Sequence, residues 1–177
     1  MIPPAEPTNV MVRARLSPSL LAELYELEED SYRLALREAK RIGCGPPSSA
    51  LRAAAAHAGA ALEELPAMAR ARRVRLGSIG ALVLDTLRRV ADVVVDQLVD
   101  HEHAYRRALT TLHRGIDLVR LMRAAASDEG DDALAAWCAR WLHGREQLVA
   151  EAARELEWFA RHPFFSRLPG AALPTSP

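Results

Sequence analysis

From residue 17 to residue 162 the apolar residues recur at three- and four-residue spacing, the mark of helices that bury one face. The one strand-like run is the brief Val93-Val94-Val95. The pattern predicts an all-α chain. A first helix opens at Ser17, a candidate N-cap, with Pro18 at the first helical position. Leu20, Leu24, Leu27, Ser31 and Leu34 form its stripe, flanked by Leu21, Glu28, Ala35 and Ile42. Gly43 ends it, and Pro46 and Pro47 prevent continuation. A second helix is predicted from Ser48 or Ser49 through an alanine-rich segment to Leu65, extending past Pro66 with a kink. Its small side chains point to neighbours that approach closely on several sides.

The longest pattern starts after Gly77 and stays in phase through Ile79, Val83, Leu87, Val90, Val94, Leu98, Tyr105, Leu109, Leu112, Ile116 and Val119. A single helix from Ile79 to Ala126 would be roughly 70 Å long, too long for a compact domain of this size. A break near Asp100 is therefore expected, with Asp100 capping the helix on its C-terminal side. Residues 127–132 form a turn, and Asp131 or Asp132 caps the last helix. That helix carries Leu134, Trp137, Cys138, Trp141, Leu148, Ala152, Leu156 and Phe159 inward and stops at Pro163. The organisation expected is a flexible tail over 1–16, one helical-bundle domain over 17–162, and a Pro-rich tail over 163–177.

Composition narrows the class. Half of the 177 residues are apolar and 26% charged, enough to bury about 70% of the unfolded surface without disulfides. Formal net charge is zero, from 23 basic and 23 acidic residues, which argues against a nucleic-acid binder. Lys40 is the sole lysine. Cys44 and Cys138 make no disulfide framework or C-x-x-C pair; Cys138 reads as a buried thiol and Cys44 as a turn residue. The N-terminal residues lack the pattern of a signal peptide. The most apolar stretch, Ile79 to Val99, carries five charges, which forbids a membrane span. A cytoplasmic protein is expected.

The order of elements resembles the small bacterial ferritin-like four-helix bundle proteins of unknown function, the DUF2383-like group. The residues that carry the resemblance are Leu20-Leu21-x-x-Leu24 through Ala35 and Ala39, and the alanine-rich second helix. The connection Gly77-Ser78-Ile79-Gly80-Ala81-Leu82 and the acid–aromatic start of Glu102 with Tyr105, followed by Ala108-Leu109, complete it. It covers residues 17–162. The resemblance implies a ferritin-like four-helix bundle with a long crossover between helices 2 and 3 that contains an additional helix.

Such bundles hold two metal ions with a Glu from each of two helices and Glu-x-x-His from each of the others, because i and i+3 share a face. No Glu-x-x-His occurs in the chain. Asp100-x-x-His103 is nearest, and it falls on the polar face. Glu28, His57, Glu102, His143 and Glu146 are the residues left for an atypical iron or manganese site. Arg145 lies inward between His143 and Glu146; a buried arginine repels a cation and pairs instead with Glu102 or Glu28. The expectation is a scaffold without complete di-iron chemistry, and no cofactor.

No phosphate loop, nucleophile elbow, zinc motif or calcium loop is present. His101, Glu102 and His103 are consecutive and point in different directions along a helix. Arg70, Arg72, Arg73 and Arg75 read as a solvated connector. Trp158, Phe164 and Phe165 form a candidate interface, since aromatic residues are enriched there. The leading expectation is a non-catalytic interaction or assembly module, a homodimer, with a metal-binding bundle and a small-molecule-binding bundle as alternatives.

Overall fold

A computed structural model of the protein describes residues 16–76 and 100–163. Five helices lie among them: α1 (Ser17–Ile42), α2 (Pro46–Ala71), α3 (His101–Asp128), α4 (Asp132–Arg154) and the short α5 (Leu156–Arg161). There is no strand among the described residues. The predicted helix between Ile79 and Leu98, residues 1–15 and 164–177 of the tails, and Phe164 and Phe165 lie outside them.

The four long helices form a square in which α1 packs on α2 and α3, and α4 packs on the same two. Short turns make α1 antiparallel to α2 and α3 antiparallel to α4. At one end, Arg72 just past α2 pairs with Asp131 at the start of α4. There too Ser17, at the start of α1, donates from Oγ to Glu129 at 2.5 Å. At the other end, the Tyr105 hydroxyl donates to the carbonyl of Ala152 at 2.7 Å, and its ring meets Phe159 at 5.3 Å between centroids. Hence α2 and α3 run parallel, and the last residues of α2 and the first of α3 sit at opposite ends of the bundle.

The core fills the space between the helices. Leu21, Leu24, Leu51, Leu65, Val119, Met122 and Leu134 are fully buried, each stabilising by about 1.5–3 kcal/mol relative to an exposed side chain. Ala54, Ala55, Ala58, Ala61 and Ala69 make up much of the buried face of α2, but Ala53, Ala56 and Ala60 are exposed, so the small side chains do not bring neighbours to every side.

Local details depart from the pattern. Ser17 does not cap α1: its hydroxyl is spent on Glu129, and the residue before the helix is Leu16. Pro46 and Pro47 do more than stop α1, since they open α2; a helix tolerates proline in its first turn, where the missing N–H has no partner to lose. The helix continues through Pro66 to Ala71. Asp100 has extended geometry before α3, the expected break, but makes no side-chain cap. Asp131 does cap α4, accepting from the Leu134 N–H at 3.0 Å. The final helix is interrupted at Glu155 and ends at Arg161.

The buried face of α1 is also rotated from the expected stripe. Leu20, Leu24 and Ser31 of that stripe are buried, but Leu27 and Leu34 are only partly so, whereas Glu28 and Glu38 are inside. None of the described helices is long and apolar enough to cross a membrane.

Candidate functional site

The rotation of α1 places Glu28 on the bundle axis. Arg145 reaches it from α4, diagonally across the square, and donates from Nη2 to Glu28 Oε2; both side chains are 0% exposed. From α2, His57 presents Nδ1, which accepts from Arg145 Nε at 3.2 Å. The Trp141 ring, one turn before Arg145, lies 4.6 Å from the guanidinium carbon, a cation–π contact. It also meets the His57 ring edge-on, with centroids 5.5 Å apart.

Two helix-interior glycines make room for this layer. A Cβ at Gly144 would stand 2.9 Å from His57 Nε2, and one at Gly115 would stand 3.3 Å from the Trp141 ring and 3.6 Å from Glu28 Oε1. Glycine costs a helix about 1 kcal/mol relative to alanine, so each marks a close approach. These positions were absent from the sequence-based candidates, and that cost was the signal that pointed to them.

Electrostatics follow from burial. Desolvation raises the Glu28 pKa above the usual carboxylate range, opposed by the charge and hydrogen bond of Arg145. The same desolvation depresses the Arg145 guanidinium, opposed by Glu28, and a guanidinium nonetheless keeps its proton in proteins. His57 is pushed down to about 4, first by burial and then by the Arg145 charge, against a backbone hydrogen bond with Trp141 and the charge of Glu64. A neutral ring at ordinary pH explains how Nδ1 can accept from a guanidinium. Glu28 Oε1, Arg145 Nη1, Trp141 Nε1 and Ser31 Oγ are buried with no hydrogen-bond partner among the described residues.

Of the five candidate ligands, the structure brings together Glu28 and His57, with Arg145 between them. Glu102 is on the outer side of the start of α3, paired with Arg106 at 2.6 Å. Glu146 pairs with Arg120 on the surface at 2.8 Å. His143 is exposed beside Gln147. Among the described residues, no three His, Cys, Asp or Glu side chains converge as a metal group. The consecutive trio also separates, with His101 buried and His103 exposed.

Trp158 is partly buried beside Gly45, stacked on His162 with centroids 4.1 Å apart. Cys138 is buried, its thiol pushed up to about 12 mainly by desolvation, and Cys44 is exposed. Fold and site together define an all-α bundle with an ion pair at its centre. Comparison of the chain with family models, with curated proteins and with solved structures finds no match.

Proposed function

We propose that the chain is a non-catalytic interaction or assembly module built on a ferritin-like scaffold, with an arginine–carboxylate pair in the layer where such bundles hold metal. The observation that carries this reading is the position of Arg145 between Glu28 and His57. The ligand spacing of a di-iron bundle maps onto that layer with substitutions. Glu28 stands where one helix supplies a single Glu, and Gly115 beside it stands where the other does. Ala54-x-x-His57 and Leu142-x-x-Arg145 stand where the remaining two supply Glu-x-x-His, and both Ala54 and Leu142 are buried. The guanidinium brings a fixed positive charge to the cation position.

The parallel course of α2 and α3 agrees with a ferritin-like crossover between them. For assembly, support comes from Tyr32 and Leu36, one turn apart on α1 and 39% and 40% exposed; the partner proposed is a second copy of this chain. The test is anaerobic incubation with iron(II), manganese(II) or zinc(II), desalting, then elemental analysis, with mass from light scattering in the same run. Trace metal and a defined dimer are expected. About one or two ions per chain overturns the metal-free reading, and a monomer overturns the assembly role.

A further inference from the structure

On the outer side of the central layer, at the seam of α2 and α4, there is a half-open cavity of about 170 Å³. Its inner wall is made of Ala61, Trp137 and Trp141, which are buried, with the edge of His57; Glu64 and Arg140 stand on its exposed rim. A volume near 150 Å³ accommodates a single benzene-sized ring. Two indoles and an alanine offer that ring flat apolar surface.

The polar atoms around the cavity are unevenly committed. The Glu64 carboxylate accepts from Trp137 Nε1 through Oε2 and keeps Oε1 as an acceptor facing solvent. The His57 Nδ1 accepts from Arg145, and the ring has a further hydrogen bond with the Trp141 backbone. On the rim the Arg140 guanidinium has no ion pair or hydrogen bond among the described residues, whereas the Trp141 indole N–H, also without a partner among them, is enclosed behind the wall. Behind the Trp141 wall lies Arg145, whose charge is paired with Glu28.

We infer that this cavity binds a small planar carboxylate with a single ring, the ring against Trp137 and Trp141 and the carboxylate on Arg140. A guanidinium matches a carboxylate with two parallel N–H donors, and Arg140 is the group on this rim that offers them. The inference stands apart from the proposed function, because the central pair can exclude metal whether or not this outer cavity is filled.

The probe is benzoate, titrated into the full chain by calorimetry and followed by the indole ¹⁵N–¹H signals of Trp137 and Trp141. Saturable binding is expected, with both signals shifting. Arg140→Gln is expected to weaken it by about tenfold or more, the loss of a charge-assisted hydrogen bond. Ala60→Leu, on the exposed rim, is expected to abolish it by occupying the cavity. Both positions are exposed, and thermal melts check that the variants remain folded. No saturation with benzoate into the tens of millimolar, unchanged affinity in Arg140→Gln, or tighter binding of benzylamine than of benzoate each overturns the assignment.

Discussion

Two arginine–carboxylate pairs tie distant parts of this chain together, and they differ in their access to water. At the end of the bundle, Arg72 holds Asp131 with two hydrogen bonds of 2.6 and 2.8 Å. The side chains are 17% and 27% exposed. Arg72 also donates to the Met68 carbonyl, and Asp131 caps α4, so the groups satisfy several needs while solvent screens them. At the centre, Arg145 and Glu28 are fully enclosed and each leaves a polar atom without a partner among the described residues. Removing both charges from water costs several kcal/mol per ion, which the attraction between them only partly offsets. The outer pair is a latch that adds little strain. The inner pair contributes little net stability, but Arg145 meets Glu28 and His57 only when α1, α2 and α4 sit in one register. It is therefore suited to selecting a single packing among the many that an alanine-rich bundle permits.

The largest expected effect separates the worth of the inner pair from the cost of breaking it. Arg145→Met leaves Glu28 buried without a counter-charge and is expected to lose about 3–5 kcal/mol. Glu28→Leu combined with Arg145→Met removes both charges and is expected to return to within about 1–2 kcal/mol of the parent, or to exceed it. Urea unfolding of the parent, the single variant and the double variant makes the comparison. A double variant as unstable as Arg145→Met would show that the layer is held by something other than charge compensation.

Much of the framework was legible in the sequence because helical periodicity and turn residues are local signals. Gly43 was placed by residue chemistry, the break near Asp100 by the length that an unbroken helix would have, and the cap of α4 was narrowed to Asp131 or Asp132, of which the structure selects Asp131. The inward direction of Arg145 and its pairing with Glu28 were also foreseen as one of two options, since position 145 falls on the apolar face of its helix. The choice between Glu28 and Glu102 was not legible. It depends on which face α1 turns to the axis, and the apparent stripe through Leu27 and Leu34 suggested a rotation that tertiary packing overrides. Ser17 was misassigned as a cap for a similar reason: Glu129, more than a hundred residues away, competes for its hydroxyl. Gly115 and Gly144 were readable in principle, as glycines inside helical patterns, but their partners are on other helices.

A second, smaller effect tests the central layer through pH. The His57 pKa falls from an ordinary 6.5 to about 4 in the folded chain, so the unfolded state binds the proton more readily. Stability from this group is complete above about pH 6.5, is lost as pH falls from there through about 4, and is flat below. The shift sets an upper bound of about 3 kcal/mol, reduced because the ring is partly exposed. His57→Asn retains a side-chain acceptor for Arg145 without a titrating ring. Comparing its unfolding with the parent from about pH 7.5 to about pH 4 subtracts every other group, including His101, which burial shifts in the same direction. The parent should lose more stability than the variant across that window. Parallel pH profiles would place the imidazole in water rather than against the ion pair.

The smallest effect belongs to the outer latch. Arg72→Met keeps an aliphatic stem of similar length and leaves Asp131 free to cap α4, so the ion pair and the donation to the Met68 carbonyl are what it removes. A partly exposed pair of this kind contributes up to about 1 kcal/mol, and the bidentate geometry puts Arg72 in the upper part of that range. Raising salt from about 0.05 M to about 0.5 M shortens the screening length several-fold and should shrink the difference between parent and Arg72→Met. The deficit of Arg145→Met should hardly change over the same range, because ions do not reach an enclosed pair. Unfolding curves of both variants at the two salt concentrations provide the check. Equal salt sensitivity at the two sites would mean that water reaches the centre of the bundle, and the distinction between a screened latch and an enclosed register pair would fail.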